Sequence, residues 1–333
     1  MSTDAALASP SAEGRGTRGK EAPLVGRRGE AGRLPNFLVI GAARSGTTTL
    51  HYALGRHPEI FVSPRKETNF FLFDESGALP AWVNADTRRA MPRTLEQYAA
   101  LFEDATEQHA AVGESSPGYL HGPVARRIRA DLPDARLIAI LRQPVEQALS
   151  IYATWQGGDT PADGLIEPFL AALADDAPGP DGDLPLARHG LYQHHLAPFF
   201  DQFERSQIKV TLLEDLERDG TAYFRELFRF LGVDDSFRID SVERFNGTGV
   251  ARNATIHRLL SGGALIKGLA RAVLPDVATR RLARLQHGLR AANLQRSAAL
   301  SPELRRELTE RYYRDDILAL EELIGRDLSC WRT

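Results

Sequence analysis

Three apolar runs set the rhythm of the chain, each closed by a polar turn and then by a helical pattern. They are Phe37–Ile40, Arg136–Leu141 and Ile208–Leu213, rich in Ile, Leu and Val. The unbroken runs Phe37–Ile40 and Leu137–Leu141 read as strands buried on both faces, the kind found in parallel sheets, and Ile208–Leu213, which includes Lys209 and Thr211, as a third sheet strand. Ile60–Val62 and a short segment leading through Val112 read as two further strands. Helical patterns fill the intervals. Thr47 begins one that runs to His57, where Pro58 stops it. Others are expected at Thr94–Glu103, Pro123–Asp131, from Val145 through Tyr152, and at Leu191–Phe203. Thr221–Leu231 is closed by Gly232 in the cap position. Ser301 and Pro302 are an N-cap and a proline start for a last helix, which runs to about Tyr313 and on through Leu318 to Leu323. Strands alternating with helices predict an α/β fold, a P-loop-type central parallel sheet flanked by helices in a single domain. Gly157–Asp183, rich in Gly, Pro and Asp, reads as a loop. Thr279–Leu294 reads as an arginine-studded helix with a solvated face. Residues 1–34 are poor in large apolar side chains and are expected to be disordered, with the folded domain spanning 35–333.

The first strand leads into the sharpest pattern. Phe37–Leu50 reads FLVIGAARSGTTTL: strand, glycine-bounded loop, helix. That geometry is a phosphate cradle, because loop and first-turn N–H groups converge on an anion and the helix dipole favours it. The spacing from Gly41 to Gly46-Thr47-Thr48 approaches the nucleotide P-loop. The lysine that would reach the β- and γ-phosphates is replaced by Thr47, and Arg44 sits inside the loop instead. Such a loop suits a phosphate ligand more than triphosphate hydrolysis.

Composition narrows the class without naming a function. The 333 residues are 43% hydrophobic and 26% charged with a formal net charge of -3, an ordinary globular balance with no general case for nucleic acid or a membrane surface. The single cysteine, Cys330, excludes an intrachain disulfide and a cysteine-cluster metal site. No apolar run approaches the roughly 18 residues of a membrane span. There is no signal-peptide core either, so the expected location is cytoplasmic.

Three more stretches carry chemistry. Ser63–Phe71 sets Arg65, Lys66 and Glu67 just before Phe70 and Phe71. A solvated Lys66–Glu67 pair is one reading. The other is a carboxylate partly desolvated by the two rings, with its basicity raised. Gly113–Leu120 is a polar turn after a strand. Arg142 closes the Arg136–Leu141 strand before Pro144, with Ser150 in the helix that follows. Arg142 thereby lies at the carboxyl edge of a parallel sheet, where open α/β sheets bind ligands, and its guanidinium matches a phosphate bidentately. Arg244–Arg258 adds a polar run with Arg252 and Asn253.

Taken in order, these stretches resemble the sulfotransferases that use 3′-phosphoadenosine 5′-phosphosulfate (PAPS), most closely the branch of bacterial sulfotransferases and heparan sulfate enzymes. The likeness is carried by Gly41–Thr48, Lys66–Phe71, Glu114–Tyr119 and Leu141–Pro144 with Ser150. It continues through Gly190–Leu191–Tyr192, Glu214–Asp215–Leu216, Phe230–Leu231–Gly232 and Leu323–Leu328 with Trp331. The resemblance implies that Arg44, Ser45, Gly46, Thr47, Thr48 and Thr49 hold the 5′-phosphosulfate. It implies that Arg142 and Ser150 hold the 3′-phosphate; Arg252 is a further candidate contact. Glu67 matches the family's catalytic carboxylate and would take the proton of the acceptor hydroxyl or amine, with PAP as product and no metal. Many relatives carry lysine where Arg44 and Ser115 stand; Arg44 and Lys66 are the candidates to supply that charge. The acceptor is expected to be a small metabolite or glycoconjugate. His51, His57 and His121 are alternative bases. The competing functions are a P-loop small-molecule kinase and a nucleotide-binding protein with a degenerate site. Thr47 in the lysine position disfavours the first; Glu67, Arg142 and Ser150 together disfavour the second.

Overall fold

Side-chain alternation along two central strands builds the molecule's two layers. Leu38 and Ile40 of β1 (Phe37–Gly41) enter one apolar cluster, while Phe37 and Val39 enter the other. Leu137, Ala139 and Leu141 of β4 (Arg136–Leu141) divide from Ile138 and Ile140 in the same way. Both strands are therefore covered on both faces. The other strands are β2 (Ile60–Val62), β3 (Ala111–Ser115) and β5 (Ile208–Leu212). All pair in parallel in the spatial order β2-β3-β1-β4-β5. The expected fold class is the one observed.

The computed structural model describes residues 28–29, 32–73, 78–83, 85–156, 164–239, 249–251, 294–296 and 300–333. Most of the segment expected to be disordered lies outside these residues, as do nearly all of 244–258 and of the 279–294 helical pattern. Within the expected tail, Arg28–Gly29 pairs antiparallel with Gly32–Arg33, and Leu34 is already buried.

One face carries α1 (Thr47–Leu54) and α8 (Gly220–Leu231), whose Leu50, Leu54, Phe224, Leu227 and Phe228 cover β1 and β4. The opposite face carries α4 (Pro144–Trp155), α6 (Tyr192–Gln202), α9 (Pro302–Tyr312) and α10 (Arg314–Ile324). The same cluster takes α2 (Leu95–Ala99), α3 (Ala125–Asp131) and α5 (Ile166–Ala174), while α7 (Leu213–Arg218) joins the cluster of α1 and α8.

Three expectations need correction. The first helix ends at Leu54 rather than His57, capped at Gly55. The supposed loop Gly157–Asp183 contains α5: Phe169 and Leu173, four residues apart, are both buried against the core. The last helix is two, because the backbone leaves helical geometry at Tyr313.

Candidate active site

β1 ends at Gly41, and the chain turns through Ala42–Ser45 into α1. Gly46 stands before the helix at φ +95° and offers no side-chain cap. A Cβ there would lie 3.0 Å from Leu213 Cδ1 in a backbone region that L-residues avoid. The first-turn N–H groups, carried by Thr47, Thr48 and Thr49, thus have no capping side chain and face the positive end of the helix dipole. Thr47 and Thr49 are buried, Thr48 half-buried. Ser45 is fully buried, its Oγ turned toward the Ala43 carbonyl at 3.5 Å. From α4, Gln147 Nε2 donates to that same carbonyl at 3.0 Å and braces the loop.

Arg44 is the centre of the charge pattern. Its Nε donates to Ser150 Oγ at 3.0 Å. Burial and then the charge of Arg142 lower its pKa, while the charge of Glu67 acts the other way. Arg44, Arg142, Ser150 and Glu67 are therefore brought to one place at the carboxyl ends of the strands. Two guanidiniums in mutual repulsion are a fit for a ligand carrying more than one negative charge.

The end of β4 is locked behind Arg142. Arg142 Nη2 pairs with Glu146 Oε2 at 3.2 Å, and Tyr192 OH donates to the Arg142 carbonyl at 2.8 Å. Next door, Gln143 N donates to Glu214 Oε1 at 2.8 Å, and Gln143 Nε2 donates to Thr309 Oγ1 at 2.6 Å. Trp331 Nε1 donates to the same Glu214 oxygen at 3.2 Å, tying the carboxy-terminal segment to this corner.

The Lys66–Asn69 segment lies along the end of β3. Glu67 N donates to the Ser115 carbonyl at 2.9 Å, and Asn69 N donates to Ser116 Oγ at 3.0 Å. Glu67 and Asn69 sit at φ +59° and +54°. Lys66 Nζ meets Glu67 Oε1 at 2.5 Å, with the lysine side chain 16% and the glutamate 56% exposed. The expectation that Phe70 and Phe71 desolvate this carboxylate fails. A 3₁₀ turn at Phe70–Leu72 carries both rings into the core, against Tyr98 and Tyr119, while Glu67 stays in solvent.

The three histidines weighed as alternative bases separate clearly. His57 uses both ring nitrogens structurally, with Glu59 N and the Asp234 carbonyl, and packs on Phe228 and Phe237. His121 packs edge-on against His189 and His195, and burial holds its pKa well below the usual value. His51 is buried on α1 with Nδ1 3.1 Å from Ser115 Oγ; burial, then the charge of Lys66, lowers its pKa to about 4. The charge of Lys66 is thus felt at His51, beside Ser115.

Sequence reasoning passed over Glu114. It is fully buried beneath the Lys66–Asn69 segment, accepting from Ser116 Oγ at 2.8 Å and from Tyr98 OH at 3.4 Å. Burial raises its pKa to about 7. Its visible signals were its place at the head of the Glu114–Tyr119 stretch and at the end of the apolar strand Ala111–Ser115. Arg252 lies outside the described residues. Among the described residues there is no group of three or more His, Cys, Asp or Glu able to hold a metal, and no helix long and apolar enough to cross a membrane.

Comparison with known proteins agrees with this geometry. Residues 35–236 match the model of the family described as "Sulfotransferase family". The chain is 37% identical over 120 residues to the membrane-associated sulfotransferase kil1 of Dictyostelium discoideum, covering 36% of this chain but only 22% of that protein. It is 28% identical over 257 residues to human heparan sulfate glucosamine 3-O-sulfotransferase 6, covering 75% of this chain and 68% of the relative. Among solved structures, a sulfotransferase from Alicyclobacillus acidocaldarius superposes with a TM-score of 0.61 at 29% identity, over 90% of this chain and 99% of that one. The matched residues contain the cradle, all five sheet strands, Glu67, Arg142 and Ser150, and the chain belongs to the PAPS-dependent sulfotransferase family, as an enzyme of the sulfotransferase class.

Proposed function

We propose that this enzyme moves the sulfuryl group of PAPS to a hydroxyl or amine of a small metabolite or glycoconjugate, with Glu67 as general base. The observation that carries the reading is the setting of Arg44, bonded to Ser150 and lying in the fields of both Arg142 and Glu67. Anion-binding groups and a solvent-facing carboxylate thus meet at one sheet edge.

The residues divide the work. The uncapped first turn of α1 and Arg44 receive the 5′-phosphosulfate; Arg142 and Ser150 receive the 3′-phosphate. Glu67 accepts the proton of the acceptor as its oxygen or nitrogen bonds to sulfur. The sulfur–oxygen bond to the 5′-phosphate breaks, and the charge left on that oxygen is met by Arg44 and Lys66. Arginine at position 44 keeps its proton throughout, so its contribution is electrostatic. Lys66 stands in for the lysine that relatives carry at the place of Ser115; its effect on His51 supports that placement. The heparan sulfate relatives favour a sugar hydroxyl or amine within the acceptor class.

The test has two stages. Calorimetry compares PAP, PAPS and ATP with magnesium; the reading requires binding of the first two and fails if only ATP with magnesium binds. A panel of sugars, glycoconjugates and small hydroxyl or amine metabolites is then screened with radiolabelled PAPS.

A further inference from the structure

The carboxylate of Glu114 is ringed by hydroxyls that donate to it. Ser116 Oγ accepts from Asn69 N at 3.0 Å, so its own proton is free to point at Glu114 Oε2, 2.8 Å away. Tyr98 OH donates to Oε1 at 3.4 Å. A carboxylate accepts on both oxygens, whereas a carboxylic acid must itself donate from one of them. The added proton meets a hydroxyl that donates, and that hydroxyl must turn from donor to acceptor, which rearranges its bond. The bond to Ser116 leads straight to the segment that bears Glu67.

That segment is held in a backbone form it does not prefer. Glu67 and Asn69 are both in the left-handed region, which non-glycine residues keep only where their surroundings fix them. The fixing bonds come from one source, the end of β3 and the turn after it. Ser115 O receives Glu67 N, Ser116 Oγ receives Asn69 N, and Tyr119 OH lies 3.2 Å from Thr68 Oγ1.

We infer that Glu114 is a positioning residue, which in its ionised form holds the Lys66–Asn69 segment through Ser116 and so presents Glu67 and Lys66 to the reacting groups. This rests on the reading of Glu67 as the base. Burial raises the pKa of Glu114 to about 7, with hydrogen bonds from Ser116, Tyr119, Thr68 and Tyr98 pulling it down. The titratable groups facing it are Tyr98 of α2 and Tyr119 of the turn after β3, and burial pushes both phenols well up, so they remain donors. The segment is therefore set as pH rises through neutrality. Stability runs the other way: a carboxyl with a raised pKa contributes stability in full below its unfolded value and loses it as pH rises through about 7. The ordered catalytic arrangement is the less stable one, a trade seen where activity needs a strained site.

The decisive measurement is the backbone amide resonance of Asn69 and Glu67 in protein labelled with 15N at Asn and Glu, with PAP present, from about pH 5.5 to 8.5. Wild type should show one shared midpoint near neutrality, and Glu114→Gln should abolish it; an unchanged midpoint in Glu114→Gln overturns the inference. Should Glu114→Gln not fold, Ser116→Ala cuts the bridge and should remove the titration from Asn69; its persistence there overturns the inference equally. In turnover, Glu114→Gln should lower kcat about 10- to 100-fold and flatten the acid limb, with KM for PAPS little changed. Glu67→Gln keeps the Asn69 titration while its turnover reports on the base alone. Normal turnover in Glu67→Gln would thus sink the base assignment and leave the Glu114 linkage standing.

Discussion

Arg44 Nε donates to Ser150 Oγ at 3.0 Å, joining a loop residue after β1 to a helix residue 106 positions later. The bond aims the guanidinium across the cradle and spends one of its donors on protein. Ser150→Ala should weaken PAP binding by about 0.5–1.5 kcal/mol, the worth of an ordinary hydrogen bond. Arg142→Ala removes a charge and should cost about 1.5–3 kcal/mol. Because both act on one anion site, the double variant should depart from additivity. Equal PAP affinity of wild type and Arg142→Ala in calorimetry would remove Arg142 from the site.

Gly46 should tolerate no side chain. At φ +95° any L-residue is strained, and a Cβ would press on Leu213 Cδ1 at 3.0 Å. Gly46→Ala should lower stability by about 1–2 kcal/mol and Gly46→Val by more, each with loss of PAP binding. Thermal denaturation beside calorimetry separates the two effects. A folded Gly46→Ala protein that binds PAP normally would show that the α1 terminus is not the seat.

Buried histidines should make the protein acid-sensitive. Burial lowers the pKa of His51 and His195 to about 4, and those of His121 and His189 also lie below the usual value. Each neutral imidazole has a depressed folded pKa, so its stability is present above the unfolded value near 6.5 and lost as pH falls toward the folded one. For His51 the full loss is on the order of 3 kcal/mol. Glu114 acts oppositely between its ordinary value and about 7, and Asp131, Glu214 and Asp316, also raised by burial, act in the same sense; the two imidazoles held near 4 and the deeply buried His121 outweigh them. The melting temperature should therefore fall steadily from about pH 6.5 to 4, with proton uptake on unfolding in calorimetry. A flat profile over that range would mean that these rings are not held neutral.

Much of this was legible in advance where local pattern and global fold agree. Arg136–Leu141 was readable to the residue, because an unbroken apolar run in a sheet covered on both faces has one solution. Gly232 was placed because left-handed positions at helix ends call for glycine. The helix Ile166–Ala174 was hidden because Gly, Pro and Asp on either side outweighed its single buried pair, Phe169 and Leu173. Adjacency misled at Glu67, since the turn at Phe70 sends neighbouring side chains in opposite directions. Glu114 was visible only as the head of the Glu114–Tyr119 stretch, and its role was hidden for a deeper reason. Its environment is assembled from Tyr98, Ser116 and the 66–69 segment, and no local pattern encodes their meeting.

The remaining prediction concerns the base. Glu67 is the carboxylate whose charge acts on Arg44, and its side chain is 56% exposed, so an acceptor hydroxyl can reach it. Its partner is Lys66 Nζ at 2.5 Å, and that lysine is mostly buried. A pair whose carboxylate is exposed in this way contributes little to stability, so the pairing is not itself a reason for Glu67 to be there. On the proposed mechanism the pair couples base and cation: as Glu67 takes the acceptor proton, Lys66 loses its counter-charge and is left to face the departing 5′-phosphate oxygen. Glu67→Gln keeps the shape and removes the proton acceptor. Turnover should fall about 10²- to 10⁴-fold, with PAP affinity nearly unchanged. Lys66→Ala should also lower kcat, through the leaving group, and its effect should shrink in the Glu67→Gln background because the two residues act as a unit. His51→Asn serves as the counter-test. A slow His51→Asn enzyme beside a Glu67→Gln enzyme of ordinary speed would move the proton transfer to the α1 histidine.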